Sequence, residues 1–169
     1  MTLSARAFIA GGAHTSFIGK GHPDFIWKRH PDFGIKENPT WEGLLQEAVD
    51  GVLEQTGVNP EDIDRLYLGN FTGELFVNQG HMGAALVGCH PAFANKPSMR
   101  VEGACASGGL AIMTALDAIA AGADFVLVAG VEVQTTVSAR DGGDYLARAS
   151  HYSRQRGIDD FTFPALFGR

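Results

Sequence analysis

Residues 104–133 carry the pattern that most restricts what this chain can fold into. Residues 104–121 are almost uniformly small and apolar, broken by Thr114 and Asp117, so a helix there is predicted to be buried nearly all round. Gly122 stands where such a helix ends, because glycine adopts the left-handed conformation of a helix C-terminus without steric cost. The run FVLVAGVEV at 125–133 has the unbroken apolar character of a strand covered on both faces. A buried helix followed by such a strand requires layers on both sides of a sheet, the α/β arrangement.

The preceding residues extend this pattern. Residues 4–12, ending in Gly11 and Gly12, have the composition of a first buried strand. Between 20 and 39 there is no clean periodicity, although HPDF occurs at 22–25 and again at 30–33. Two copies are too few for a repeat architecture. From 41 to 56, Leu44, Leu45, Ala48, Val49, Val52 and Leu53 recur at a helical spacing, and Gly57 follows as a C-terminal signal. Asn59, Pro60, Glu61 and Asp62 form a turn before a short strand at 66–68, closed by Gly69 and Asn70. A helix at 79–88 with Met82, Ala85 and Leu86 inward is stopped by His90 and Pro91, and 98–103 is a further strand. Strands alternating with helices imply right-handed βαβ units and a mostly parallel sheet. From 134 onward the pattern gives way to polar residues and arginines.

Composition narrows the chemistry. The chain has 169 residues, 13 Lys+Arg against 19 Asp+Glu and a net charge of −6, which fits one compact domain or part of a larger one. No basic run exceeds the pair Lys28 and Arg29, so the basic face that nucleic acid requires is missing. Two cysteines without a Cys-x-x-Cys pair support neither a disulfide framework nor structural zinc, and the expected compartment is reducing and cytoplasmic. No apolar run approaches the roughly 20 residues of a membrane span, and residues 7–10 are too short for a signal peptide.

The segment VEGACASGGL at 101–110 is the most informative for function. Cys105 falls between a predicted strand and a predicted helix, at the strand's carboxyl end, where open α/β sheets bind their ligands. Its neighbours Gly103, Ala104, Ala106, Ser107, Gly108 and Gly109 are all small. Small residues permit a sharp turn and a close substrate approach, while a helix N-terminus offers free N–H groups. Such surroundings favour a thiolate and stabilise an oxyanion, so Cys105 is the candidate nucleophile; the plainer alternative is a buried small residue. Cys89, beside His90, lacks further ligands at metal spacing and reads as structural.

Other motifs fail. GAHTSFIGKG has His14 where a phosphate loop needs its first glycine and Gly21 where it needs Ser or Thr, and no GxGxxG occurs. His22 and His30 each precede proline in a polar stretch and read as turn residues. Arg140, Arg148, Arg154, Arg156 and Arg169 crowd the last thirty residues. They are candidates for coenzyme A phosphates or members of a solvated segment offset by Asp141, Asp144, Asp159 and Asp160.

The run VEGACASGGLAIMTALDAIAAGADFVLVAGVE resembles the nucleophile region of the thiolase superfamily: a strand, CASGG, a small-residue helix, a Gly-Asp-containing turn and a strand ending in Gly-x-Glu. GNFTGELFVNQGHMGAAL and AFIAGGAHTSFIGK resemble that family's second strand with its helix and its first strand with its loop. The nearest branch is the acetyl-CoA acetyltransferase and sterol-carrier-protein-like one. The resemblance implies a thiolase-like half-domain over 1–133, with 19–40 as a loop elaboration. The segment SARDGGDYLARASHYSRQRGIDDFTFPALF resembles the start of the substrate-covering loop region, so 134–169 is expected to be that region cut short. The sheet is then mostly parallel but mixed, with a buried central helix after the nucleophile.

The implied activity is acyl transfer between thioesters through an acyl group on Cys105, either thiolysis of a 3-ketoacyl-CoA or Claisen condensation. No cofactor is bound; coenzyme A thioester is the substrate, and the Cys105 N–H helps to hold the thioester oxygen. Strand 98–102 is expected to pair across a homodimer. The family's second half supplies a His, a further Cys and an Asn-Glu motif that this chain lacks. The chain therefore reads as the N-terminal part of a longer or split enzyme, with a complementing half or second subunit as partner. A rival is a thiol-dependent α/β-hydrolase, since GACAS resembles the elbow Gly-x-Ser-x-Gly, with Ser107 replacing the last glycine and His151 as the one downstream histidine. Another is a non-catalytic acyl-CoA-binding or scaffold subunit.

Overall fold

The computed structural model describes residues 6–156. Helix α1, Trp41–Thr56, starts where the Thr40 hydroxyl accepts the Gly43 N–H at 3.1 Å. It ends at Gly57, in the left-handed conformation (φ 63°), whose N–H donates to the Leu53 carbonyl. Strand β1, Ile63–Gly69, leads through the short helices α2, Gly73–Phe76, and α3, Gly83–Gly88, to strand β2, Ser98–Val101. Helix α4, Ser107–Ala120, then returns the chain to strand β3, Phe125–Gly130; α5, Ala139–Leu146, and α6, Tyr152–Gln155, follow.

Among the described residues three strands form the sheet, parallel and in the order β2-β1-β3, with Leu66 opposite both Ser98 and Leu127. Parallel neighbours need crossover connections, and the crossovers cover both faces of the sheet. Strand alternation sorts the core into two layers. Leu66 and Leu68 pack with Leu45 and Val49 of α1, with Met82 and Leu86, and with Phe93. Tyr67 points the other way, onto Ala111, Ala115 and Ala118 of α4. The predicted α/β class is the one observed, and the sheet, expected to be mostly parallel but mixed, is parallel throughout among the described residues.

Three expectations change. Residues 6–12 form no strand, and Phe8 and Ile9 are 84% and 89% exposed; residues 4–5 lie outside the described part. A strand exists through its ladder rather than its composition, and a cavity of about 510 Å³ is lined by 6–11 on one side and 124–128 on the other. Helix α4 is not buried all round. Its Ala111, Ala115 and Ala118 face takes the sheet, whereas Ile112 and Met113 are 50% and 61% exposed. Finally, the apparently patternless 134–156 contains α5, started by the Ser138 hydroxyl accepting the Asp141 N–H.

The HPDF pair is explained by turn geometry. His22 and His30 each accept, through Nδ1, the N–H two residues on, and each carbonyl accepts the N–H of the phenylalanine three residues on. Residues 90–93, HPAF, make the same turn, with His90 Nδ1 accepting the Ala92 N–H at 3.1 Å.

Asp64 sits where the β1–β3 register shifts, and its carboxylate accepts the N–H groups of Asp124 at 2.8 Å and Phe125 at 3.2 Å. These two bonds hold its pKa below the ordinary aspartate value. A folded pKa below the unfolded one gives stability that is present above the unfolded value, about 3.9, and is lost as pH falls through the folded value. In urea unfolding series across the acid range, wild type should lose stability more steeply than Asp64→Ala below about pH 4. Parallel losses would contradict this assignment.

Candidate active site

Cys105 lies in a single 3-10 turn, Ala104–Ala106, between β2 and α4, and its side chain is exposed. The turn begins with Ala104 at φ 50°, a left-handed value costing an L-residue about 1–2 kcal/mol. Hydrogen bonds surround that residue. The Glu102 carboxylate accepts the Ala104 N–H at 2.6 Å. The Ser107 hydroxyl accepts the Gly103 N–H at 3.0 Å and donates to the Ala104 carbonyl at 2.7 Å. Ala106, at the start of α4, supplies no side-chain cap, and the Ser107 N–H donates to the Ala104 carbonyl, so α4 continues directly from the turn that carries Cys105. Among the described residues no hydrogen bond is formed by the Cys105 N–H or its thiol.

Close packing fixes this turn over the sheet. A Cβ on Gly69, the last residue of β1, would lie 2.9 Å from both Cα and N of Gly108 in α4. A Cβ on Gly103 would crowd only the Leu110 side chain, whose end can turn aside. Beyond β1 and β3, buried Asn70 donates through Nδ2 to the Val131 carbonyl at 2.9 Å and to Glu132 Oε2 at 3.2 Å. Its Oδ1 accepts the Gly73 N–H at 3.0 Å, and Glu132 also accepts the Phe71 N–H at 2.9 Å. On β2, Arg100 pairs with Glu74 at 2.6 Å and donates to the Gly80 carbonyl, tying 73–80 to the strand.

The remaining candidates have other surroundings. Cys89 is half-buried against the core, its thiol donates to the Ala85 carbonyl at 3.4 Å, and burial, helped by the negative Asp50, pushes its pKa up. His90 turns its Nδ1 to backbone and its ring to Phe93. His14 and His151 are exposed, and no hydrogen bond joins a histidine to Cys105 among the described residues. Arg148 pairs with Asp144 at 2.7 Å and lies 4.0 Å over the Tyr152 ring. Arg140, Arg154 and Arg156 are exposed on α5, on α6 and just after α6. Arg169, Asp159 and Asp160 lie outside the described residues.

Cavities of about 500 and 510 Å³ lie along the residues before α1, and Cys105 lines neither. Asn70 and Glu132 escape sequence reading because a buried amide and a carboxylate 62 residues apart carry no spacing signature. Arg100 and its partner Glu74 are equally distant in kind from any motif. Ser107 is visible in the sequence as one of the small neighbours of Cys105, but its hydroxyl's two bonds are not.

Residues 32–165 match the family described as thiolase, N-terminal domain. The chain belongs to the thiolase family. It is 37% identical over 129 residues to an acetyl-CoA acetyltransferase of Methanothermobacter thermautotrophicus, covering 76% of this chain and 33% of the relative. An acetyl-CoA acetyltransferase of Methanocaldococcus jannaschii is 40% identical over 129 residues, covering 76% of this chain and 32% of the relative. The chain thus spans about a third of the length of these curated thiolase relatives. The family match includes the whole β2–turn–α4–β3 unit around Cys105 and begins after residues 7–20.

The Gly69–Gly108 contact is between backbones, which cannot rotate aside. Gly69→Ala should destabilise the chain by about 1–3 kcal/mol, measured as a urea midpoint shift. Gly109→Ala, whose Cβ meets nothing within 4 Å, should be neutral or stabilise by up to about 1 kcal/mol. Equal effects of the two substitutions would contradict the packing account.

Proposed function

We propose that this chain carries the nucleophile of a thiolase-type acyl transfer, with Cys105 as the acyl carrier. The observation that carries the reading is the exposed Cys105 thiol between the carboxyl end of β2 and the N-terminus of α4, inside the stretch that matches the family. The Cys105 sulfur attacks the carbonyl carbon of an acyl-CoA thioester, the carbon–sulfur bond to coenzyme A breaks, and coenzyme A leaves as the thiol after taking a proton. In condensation the acyl group then passes to the carbanion of a second acyl-CoA. In thiolysis the Cys105 sulfur instead attacks the 3-keto carbon of a 3-ketoacyl-CoA and the bond between C2 and C3 breaks. Acetyl-CoA leaves after its carbanion takes a proton, and the acyl group passes to the sulfur of free coenzyme A as that thiol gives up its proton. The Cys105 N–H holds the thioester oxygen as charge develops.

A thiol nucleophile needs a base within hydrogen-bond reach, and no histidine bonds to Cys105 among the described residues. The base therefore comes from the remainder of a longer enzyme or from a second subunit. The exposed Ile112 and Met113 of α4 suit such a complementing half. Among the described residues β2 is an edge strand, and its outer edge suits pairing with its counterpart in a homodimer. Arg140, Arg154 and Arg156 remain the arginines available to coenzyme A phosphates, Arg148 being held by Asp144.

An electrophilic coenzyme A ester, bromoacetyl-CoA, tests the reading because its α-carbon alkylates a thiol without acyl transfer. Intact mass and peptide mapping should find the adduct on Cys105, lost in Cys105→Ser, retained in Cys89→Ser and suppressed by excess desulfo-coenzyme A, which has no thiol to consume the reagent. Modification of Cys89 in preference, or labelling indifferent to desulfo-coenzyme A, would refute it.

A further inference from the structure

We propose that Ser107 is a positioning residue, holding Ala104 in its left-handed conformation and thereby setting where Cys105 stands. The inference rests on the reading of Cys105 as nucleophile for its functional meaning, but its geometry is independent of that reading. Ala104 takes φ 50°, a region that L-residues other than asparagine and aspartate seldom enter. Something must hold it there, and two side chains reach it.

Glu102 grips the Ala104 N–H from the exposed side. Ser107 works from inside. It is 5% exposed, and its one hydroxyl closes both flanks of the strained residue, taking the N–H of Gly103 before it and donating to the carbonyl of Ala104 itself. The Ala104 carbonyl also accepts the Ser107 N–H. Serine at a helix start ordinarily caps the helix's own N–H groups; here the hydroxyl is turned back into the turn that carries the thiol.

The alternative is that Ser107 only stabilises the fold, and a rescue experiment separates the two. Glycine adopts a positive φ without strain, so Ala104→Gly removes the need for a holder. Four chains are compared: wild type, Ser107→Ala, Ala104→Gly and the double variant. The readouts are the iodoacetamide alkylation rate of Cys105, with Cys89 as internal reference, and the urea midpoint. Ser107→Ala should slow Cys105 alkylation about fivefold, the factor that one hydrogen bond of ordinary strength corresponds to, and the double variant should return to within about twofold of wild type.

Unchanged alkylation in Ser107→Ala, or a loss that Ala104→Gly does not restore, would overturn the proposal. If Ser107→Ala does not fold, Ala104→Gly and the double variant decide the matter, since their rates should agree and a clear difference refutes the role. Bromoacetyl-CoA run beside iodoacetamide keeps the two readings apart. Alkylation that follows Ser107 with no effect of desulfo-coenzyme A sinks the acyl-transfer reading alone, and labelling that is sensitive to desulfo-coenzyme A but ignores Ser107 sinks this inference alone.

Discussion

The arrangement depends on a contact with no side chain in it. Gly69 at the end of β1 and Gly108 in the first turn of α4 meet backbone to backbone, so the helix begins directly over the end of the central strand. The same device recurs at the sheet's edge, where a Cβ on Gly83 of α3 would lie 2.6 Å from the Arg100 N of β2. Van der Waals contact falls steeply with separation, and seating helices on strands without intervening methyl groups fixes their depth closely. The turn holding Cys105 therefore inherits its position from the sheet.

Polar bonds secure β1 against β3 at both ends. At the amino end of β3, Asp64 takes two backbone N–H groups; beyond the carboxyl end, Glu132 and Asn70 bind each other and the residues following β1. A carboxylate bonded to N–H groups is a strong acceptor, and each of these two joins residues about sixty positions apart in the chain. Together they oppose slippage of β1 against β3. A one-residue slip in a parallel sheet would exchange the Leu66 and Tyr67 layers.

Much of this was legible in the sequence where local pattern and local chemistry agree. Helix α1 shows its periodicity and both of its ends, and β3 shows its continuous apolar run. The position of Cys105 between a strand and a helix follows from the same reading. Residues 6–12 misled because alanine, phenylalanine and isoleucine signal a preference for strand, whereas the ladder depends on a neighbour that the sequence does not display. Helix α4 misled because an all-apolar surface does not say which face finds cover. The Asn70–Glu132 pair and the bonds of Ser107 were invisible because they depend on tertiary contacts or side-chain direction, neither of which has a spacing rule.

The three His-Pro-x-Phe turns have a consequence for proton transfer. In each, Nδ1 accepts a backbone N–H, and a neutral imidazole with Nδ1 accepting carries its hydrogen on Nε2. Half of the six histidines thus have one tautomer selected by the backbone, with their acceptor lone pair engaged. Toward their surroundings these rings are donors. They can offer a hydrogen bond to an anion, while the lone pair that would receive a proton from a thiol is already occupied by the turn.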